Sequence, residues 1–419
     1  MEKPFKLDSG GQIEFLTTGE ASHFFGYFDK SPWCPNNQNL FLCHRSFHEN
    51  VFPKGIEKIE VGYWEIASNR FVKLAETLAW NFQQGAMLQW VGKSNKILFN
   101  DIHEGKAVAK IIDLKGDLKA QIDYPIATLN SDGTLGVSLN FGRLNRVRKD
   151  YGYPAITDLY AHENIPENDG IILVDIVTGN PVKIISIKQI AEFGKNNTVK
   201  NAFHYVNHPI FSPDGKKICF LHRYINEVGT QYTRMLIYNI GNDELLLLIA
   251  GMASHFGWRN NQDIIAWAGE RSLLEGVNKG LMGKIPVGKI FQVMYKKLGK
   301  PRFLKRFVLK DNYILFDTQS LNRTFIKNKA LVSDGHCSFE KNGNRMITDN
   351  YPDKKGRVSL IMFDFKNKEA KTIGNFYLPP TWDDEVRCDL HPRWNEAGDM
   401  IAVDTVVENR RQMLLISLQ

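Results

Sequence analysis

The 419-residue sequence has few cysteines and no long uncharged apolar run. Its five cysteines form an odd, scattered set, which indicates reduced thiols rather than a disulfide framework. No stretch of about 18 uncharged apolar residues occurs, so we expect no transmembrane helix. The first residues, MEKPFKLDSGGQ, lack the apolar core of a secretion signal, so we expect a cytoplasmic protein. The sequence also lacks nucleic-acid-binding motifs, a Gly-rich phosphate loop and a G-x-S-x-G elbow. Nucleic-acid partners, glycosyltransferases and serine hydrolases are therefore not expected.

Acidic residues are absent from one segment. Between Lys279 and Lys310 there are ten Lys or Arg residues and no Asp or Glu. The remaining 43 basic residues stand against 46 acidic ones, so the net charge of +7 comes from this segment. Its lysines are mixed with Leu, Ile, Phe, Val and Met, which predicts a helical, basic amphipathic insertion at residues 270–311.

Three roles fit this insertion. Residues 279–310 could lie on an anionic membrane surface, which would make the protein peripheral at the inner membrane and suit work on lipid-linked glycans. The apolar face could instead pack on the rim of the protein with the lysines only solvated. The segment could also line a funnel and attract an acidic polysaccharide.

One strand pattern is repeated seven times along the chain. Each copy has an anchor residue, a short turn and an alternating apolar run, usually followed by a further apolar run. The anchors are Trp33, Trp90, Leu129, Phe211, Trp258, Phe339 and Trp394. Turns such as SPDG (residues 212–215) and KNG (residues 341–343) are typical of tight hairpins, because Gly and Asn tolerate positive φ.

Seven copies predict an all-β fold, a seven-bladed β-propeller in which residues 1–419 form a single domain. We expect this propeller to be a monomer. The last blade begins at Trp394 and has only three strands, so the N-terminal run QIEFLTT is expected to close it. The insertion at residues 270–311 would interrupt the fifth blade. An open pair of β-sandwiches is the rival architecture, but it does not explain seven equivalent anchors.

Histidines recur at one position of this pattern, three residues before the anchor. The seven equivalent residues are Lys30, Met87, Ile126, His208, His255, His336 and His391. Because inner strands surround the axis of a propeller, these histidines are expected to face one another across the channel. Three of them with an oxygen ligand would form a site for a divalent transition metal such as Mn or Zn. Alternatively, each histidine pins its strand to the backbone of the neighbouring blade.

Two carboxylates lie two residues before a histidine, Asp334 before His336 and Asp389 before His391. Residues i and i+2 of a strand share a face. Each Asp is therefore expected to orient its His or to bind the metal directly.

Polar residues also follow the anchors by about ten to twelve positions. Among them, Arg223 lies one hairpin after His208, where its guanidinium could grip a carboxylate or form a salt bridge between blades. A Tyr near a basic cluster can act as an acid, which makes Tyr205 a candidate catalytic residue. The candidates for substrate binding are Tyr27, Arg45, Asn140 and Arg393.

Three copies of the repeat resemble the blade repeats of oligogalacturonate lyases, of TolB-like propellers and of propeller ulvan lyases. These copies are NHPIFSPDGKKICFLHR, DGHCSFEKNGNRMITDNYPD and CDLHPRWNEAGDMIAVDT. HFFGYFDKSPW and WNFQQGAMLQW resemble a less characterised branch associated with bacterial surface-glycan clusters. The resemblance implies a channel with a metal held mainly by His, a His or Tyr that abstracts a proton, and an Arg that neutralises a uronate carboxylate. By position, the resemblance assigns the metal to His255, His336 and His391. It assigns the role of the base to His208 and that of the neutralising Arg to Arg223.

The resemblance implies β-elimination on a glycan that contains uronic acid, with metal-assisted hydrolysis as a second chemistry. The expected partner is an acidic or lipid-linked glycan. The alternative function is a non-catalytic propeller that binds glycan or acts as a scaffold in surface-polysaccharide biosynthesis.

Overall fold

The structure is a computed structural model that describes residues 4–8, 11–48, 50–194, 199, 201–227, 229–270, 311–383 and 386–418. Nearly all regular structure in this part of the chain is antiparallel strand. The helices found there are short, α1 (Phe141–Val147) and α2 (Ile187–Glu192). Neither helix is long and apolar enough to cross a membrane.

The chain begins with two short strands, β1 (Phe5–Leu7) and β2 (Gly11–Leu16), that join sheets formed late in the sequence. Three sheets follow in chain order. The first contains β3 (Ser22–Phe24), β4 (Trp33–Cys34), β5 (Asn37–Ser46), β6 (Ile59–Glu65) and β7 (Arg70–Thr77). The second contains β8 (Gln89–Trp90), β9 (Lys96–His103), β10 (Lys106–Asp113) and β11 (Leu118–Ile122), and the third β12 (Ile126–Leu129), β13 (Leu135–Ser138), β14 (Gly170–Asp175) and β15 (Pro181–Ser186).

The second half of the chain forms three more sheets. The largest contains β16 (Phe203–Phe211), β17 (Lys217–Ile225), β18 (Gln231–Asn239), β19 (Glu244–Trp258), β20 (Asp263–Glu270), β21 (Asn312–Asp317) and β22 (Arg323–Phe325). The next contains β23 (Ser338–Phe339), β24 (Arg345–Thr348), β25 (Arg357–Asp364) and β26 (Glu369–Tyr377), and the last β27 (Arg393–Trp394), β28 (Met400–Val407) and β29 (Arg410–Leu418). Glycines with positive φ lie in the predicted hairpin turns, for example Gly133 and Gly215 at 70° each.

These sheets form the β-propeller predicted from the repeats. The described strands make six hydrogen-bonded sheets rather than seven, because β19 pairs with β18 through its first half and with β20 through its second. The pairing shifts register between Ala253 and Phe256 within β19. Seven blades and a single domain therefore stay predictions. Residues 271–310 of the predicted insertion lie outside the described residues.

The N-terminal strand closes the last sheet, as the sequence predicts. β2 pairs with β29 from Gly11, opposite Leu418, to Leu16, opposite Leu414. β1 was not foreseen: it pairs with β26 of the preceding sheet. Two successive sheets are thus completed from the N-terminal segment, and the outer edge of each is covered.

The hydrophobic core lies between neighbouring sheets. Phe41 and Trp64 of the first sheet share one buried cluster with Trp90 and Ile97 of the second. Phe220 and Leu236 of the largest sheet pack in the same way against Val137 of the third. Because apolar side chains fill the spaces between sheets, the residues that remain for the central channel are mainly polar.

The inner strands bend at the positions that carry histidine. In β16 the pairing with β17 skips from Asn207 to Ile210, so two residues face one at this point. His208 has a φ of 52° and His391 a φ of 44°. A non-glycine residue rarely adopts positive φ, and a bulge of this kind changes the direction of its side chain. Both effects turn these histidines out of the regular alternation of the strand and toward the channel.

A loop of the first sheet crosses the channel. β3 and β4 both pair with β5, and Phe24 lies opposite His44 while Trp33 lies opposite Phe41. Eight residues therefore face only two on the partner strand. We call residues 25–32 the channel loop. Because a regular strand could not accommodate the extra residues, they extend into the channel.

Arg393 holds the channel loop in place. Its Nε donates to the carbonyl of Tyr27 at 3.1 Å, and its Nη2 donates to the carbonyl of Gly26 and to Asp404 at 2.8 Å. Asp404 in turn accepts hydrogen bonds from the backbone of Phe25 at 3.3 Å and of Gly26 at 3.4 Å. A buried ion pair thus fixes the backbone of the loop.

We expect N-terminal truncation to separate the roles of the two closing strands. A variant lacking residues 1–9 loses β1, and a few degrees of melting temperature should be lost with it. A variant lacking residues 1–18 also loses β2, which exposes the apolar strand β29, and its melting temperature should fall by at least about 10 °C. Thermal unfolding and size-exclusion chromatography would measure stability and aggregation. Equal stability of the two variants would contradict the closing role of β2.

Candidate active site

The four histidines predicted from the repeat converge in the channel. The ring centroids of His255 and His336 are 4.0 Å apart, and those of His336 and His391 are 4.4 Å apart. The ring of Tyr27, from the channel loop, stacks on His208 at 5.0 Å and lies 4.9 Å from His391. All four histidines are buried. Tyr27 therefore lies between His208 and the other three.

The carboxylates that orient these rings differ from the expected pairs. Asp334 contacts Nδ1 of His255 at 3.0 Å. Asp349, which follows β24, contacts Nδ1 of His336 with both oxygens at 2.9 Å and accepts the His336 backbone N–H at 2.7 Å. Residues 334–337 precede β23, so the two-residue alternation of a strand does not apply to them.

A second carboxylate joins two of the histidines. Ligand atoms of His336, Asp389 and His391 all lie within 4.8 Å of one another. Asp389 is held by a two-point ion pair with Arg387, at 2.5 Å from Nε and 2.9 Å from Nη2. Nε2 of His391 is buried and has no hydrogen-bond partner among the described residues. Two imidazoles and a carboxylate with a free buried nitrogen fit a divalent transition metal such as Mn or Zn, and His255 borders this group.

Burial and charge set the protonation of the cluster. Burial lowers the pKa of His255 and takes that of His391 well below its usual range, so both rings are neutral near pH 7. Burial also opposes protonation of His336, but Asp349 outweighs it and the pKa of His336 is raised. Despite its burial, the pKa of Asp389 is lowered by Arg387. Asp389 is therefore ionised, as a metal ligand must be.

His208 lies apart from this group. Its Nε2 is 3.4 Å from the hydroxyl of Tyr27, and its buried Nδ1 has no partner in the described part of the chain. Burial, followed by the charge of Arg223, takes its pKa well below the usual range. His208 is therefore neutral near pH 7, and one ring nitrogen is free for a further contact.

Arg223 is a buried cation without an ion pair in the part of the chain that the structure describes. It lies opposite Tyr205 in the pairing of β16 with β17. None of the described residues forms an ion pair with Arg223, and none of them accepts a hydrogen bond from its buried Nε. The neighbouring Arg148 has its own carboxylate, Asp150, at 2.7 Å. Burial, and then the charge of Arg148, lowers the pKa of Arg223. The salt bridge between blades considered for Arg223 is not formed within this part of the chain.

Three candidates for substrate binding have other contacts. Arg45 forms an ion pair with Glu60 and lies over the ring of Phe71 at 4.7 Å. Asn140 caps α1 by accepting from the Arg143 backbone at 2.8 Å. Arg393 binds the channel loop, as described above. A substrate role for these three stays a prediction that their contacts do not favour, whereas Tyr27 does lie among the histidines.

Several residues of the site were not singled out by the repeat pattern. Asp349 is one of the polar residues that follow the anchors, so the repeat pattern indicated its contact with His336 only weakly. Arg387 precedes Asp389 by two residues, and this spacing could have suggested their ion pair. Phe28, whose ring centroid is 5.2 Å from that of His336, and Tyr151, whose ring is 4.7 Å from that of His208, come from loops without repeat character.

Little free space remains beside the histidines. A cavity of about 10 Å³ is lined by Tyr27, Phe28, His208 and His255 among others. This volume suits one water molecule or an ion. A larger ligand at this depth requires the aromatic side chains of the channel loop to move.

The fold and the buried histidine–carboxylate cluster define a β-propeller with a candidate metal centre in its channel. An oligogalacturonate lyase solved in complex with manganese is 12% identical to this chain, with a TM-score of 0.63 over 100% of this chain and 97% of that one. A second oligogalacturonate lyase, from Vibrio parahaemolyticus, is also 12% identical, with a TM-score of 0.59 over the same shares. No family model and no curated protein matches the sequence. The chain therefore has the propeller fold of oligogalacturonate lyases, which confirms the resemblance at the level of the fold.

We expect replacement of Arg223 to stabilise the protein. Arg223→Met removes a buried charge without a partner, and the free energy of unfolding should rise by about 1–3 kcal/mol. Arg234, on the adjacent strand of the same sheet, is the matched control, because it donates to the carbonyls of Ile190 at 2.5 Å and Phe193 at 2.6 Å. Arg234→Met should lower the free energy by about 3 kcal/mol. Urea denaturation would measure the free energy of unfolding of both variants. Equal losses would show that other groups of the protein compensate the charge of Arg223.

Proposed function

We propose that this protein catalyses β-elimination on a glycan that contains uronic acid. The observation that carries the proposal is the buried guanidinium of Arg223, which has no ion pair among the described residues, with Nδ1 of His208 nearby and likewise unbonded there. A buried cation needs an anion, and a uronate carboxylate would supply one. The position of His208 near Arg223 would place a base beside that anion, and abstraction of the α-proton requires such a base.

The proton transfers can be assigned to this chain's own residues. Arg223 binds the carboxylate and offsets the negative charge that develops on it as the C5–H bond breaks. His208 takes the C5 proton, and the electron pair forms the C4–C5 double bond while the C4–O bond breaks. Tyr205 donates a proton to the leaving oxygen. Burial raises the pKa of Tyr205, so its hydroxyl still carries the proton it must give. A positioned acid or base contributes typically about 10²–10⁴-fold in rate.

His336, His391 and Asp389, with His255 beside them, would hold the divalent metal. When bound, a metal of this kind polarises an oxygen of the carboxylate and makes the adjacent C–H more acidic. Asp349 and Arg387 keep His336 and Asp389 in position, as partners of metal ligands generally do.

An acidic or lipid-linked glycan is the substrate class that fits this chemistry. The basic segment at residues 279–310 would bring the protein to an anionic membrane surface where lipid-linked glycans occur. Cytoplasmic location and a monomeric state belong to the same proposal.

We expect His208→Ala to abolish the release of 4,5-unsaturated product from uronate-containing glycans, a loss of at least about 100-fold. His162→Ala is the matched control, because His162 is exposed, and it should retain full activity. Absorbance of the unsaturated product would be followed, with circular dichroism to verify folding. Unchanged product release by His208→Ala would refute its role as the base. If a broad panel of uronate-containing glycans gave no product with the unaltered protein, the lyase proposal would fail.

We expect the purified protein to contain about one Mn or Zn ion per chain. The double variant His336→Ala/His391→Ala should lose this ion, because two of its nitrogen ligands are removed. Elemental analysis would measure the content, and His162→Ala again serves as the control. Retention of the ion by the double variant would place the metal elsewhere.

A non-catalytic scaffold is the second candidate function. The observation that favours it is the small free space around the histidines, which Tyr27 and Phe28 largely fill. A metal-free protein without lyase activity would be the outcome that this alternative predicts.

A further inference from the structure

A second set of cavities lies at the opposite mouth of the channel from Arg223 and Tyr205. The anchors follow the histidine positions by three residues, which is roughly 10 Å along a strand. A cavity of about 380 Å³ is lined by the anchors Trp33, Trp90, Phe339 and Trp394, and one of about 250 Å³ adjoins it. Asp29 and Lys30 of the channel loop border both cavities. We call the larger one the anchor cavity; its volume is typical of small-molecule sites.

Three anchor tryptophans are hydrogen-bonded to the segment that carries the preceding anchor. The indole N–H of Trp90 donates to the carbonyl of Pro32 at 3.0 Å, and that of Trp258 donates to Ile210 at 3.1 Å. Trp394 makes the same bond to Ser338 at 3.4 Å. In each case the acceptor is the residue just before the preceding anchor in the sequence.

Trp33 breaks this rule. Its equivalent acceptor would be the carbonyl of Arg393, yet the buried Nε1 of Trp33 has no hydrogen-bond partner within the described ranges. A buried donor left unbonded costs about 1–3 kcal/mol. The donor of Trp33 is therefore unmet among the described residues, whereas three equivalent donors are satisfied.

An acceptor is unmet on the same wall. Oδ2 of Asp29 is 2.7 Å from the Lys30 ammonium, but Oδ1 is buried and has no partner. Gln89 also lines the cavity, but its amide is already bonded to Met87 at 3.0 Å and to Leu129 at 3.0 Å. The residues that line the anchor cavity thus include one buried donor and one buried acceptor without partners among the described residues, beside exposed polar side chains such as Gln38, Lys93 and Ser131.

We propose that the anchor cavity binds a neutral sugar ring. A pyranose offers hydroxyl groups that both donate and accept, which matches Asp29 and Trp33. Its C–H faces suit aromatic walls, whose ring faces are electron-rich. The charged residues that line the cavity are Asp29, Lys30, Lys93 and Glu396, which sum to zero, so an ionic ligand gains little there. This site is independent of the proposed lyase site and takes an uncharged unit rather than a uronate.

Binding would be measured by saturation-transfer NMR and calorimetry with methyl glucoside, methyl galactoside and N-acetylglucosamine as neutral probes. Galacturonate and choline are the anionic and cationic comparators. We expect saturable binding of at least one neutral probe in the millimolar range, and comparators at least about tenfold weaker. Tighter binding of choline than of every neutral sugar would overturn the assignment in favour of a cation site, and tighter galacturonate binding would overturn it equally.

Variants locate the binding without touching the histidines. Ser131 is exposed and lines the anchor cavity, so Ser131→Trp should fill the cavity and weaken sugar binding at least about tenfold. Asp132→Trp adds the same bulk at the next exposed position, which does not line the cavity, and should bind as the unaltered protein does. Trp33→Phe keeps an aromatic wall but removes the N–H donor, and affinity should fall severalfold.

His391→Ala distinguishes the two mouths of the channel. It should leave neutral-sugar binding unchanged, because His391 does not line the anchor cavity. Loss of binding in His391→Ala, unchanged binding in Ser131→Trp, or no saturable binding of any neutral probe would each overturn the proposal. None of these outcomes depends on lyase activity.

Discussion

The ion pair between Arg393 and Asp404 is the interaction on which both mouths of the channel depend. The pair is almost completely buried. Beyond their mutual contact, both residues form hydrogen bonds with the backbone of the channel loop rather than with another side chain. Breaking such a pair leaves a buried charge, which is far more costly than the pair is stabilising. The position of Tyr27 against the histidines and of Asp29 at the anchor cavity is therefore fixed by residues on the last sheet.

The elements of the fold could largely be predicted from the sequence, because strand alternation and hairpin turns are local properties. The anchor spacing also predicts that His208, His255, His336 and His391 meet, since equivalent positions of a propeller surround one axis. The closing role of β2 could also be predicted, because the last repeat contains only three strands of its own. In contrast, β1 has three residues and no repeat character, so its pairing with β26 depends on tertiary contacts alone.

The finer arrangement of the site could not be predicted, for a physical reason. Lys30 was aligned with the histidines as if the first inner strand were regular, whereas residues 25–32 leave the strand and fill the channel. Asp334 was expected to serve His336, but the chain is not yet a strand at that point, and Asp334 reaches His255 instead. Side-chain direction at a bulge depends on φ values that a repeat pattern does not encode.

The charges of the channel are unevenly compensated. Arg148 and Arg387 each hold a carboxylate, whereas Arg223 has none among the described residues. A protein that only needed a stable ring would gain by an apolar residue at position 223. The retention of an unpaired cation beside His208 is typical of a site where stability has been given up for a ligand.

The pairing of β2 with β29 has a consequence for how the molecule is made. Gly11 and Leu418 are at opposite ends of the sequence, so this contact is among the most non-local that the chain can form. Contacts of this kind close slowly, because a long stretch must be ordered first. During synthesis, β2 leaves the ribosome long before its partner β29, and β1 and β2 remain unpaired in the meantime. Their charged and polar residues, in KPFKLD and GQIEF, would help keep this waiting segment soluble.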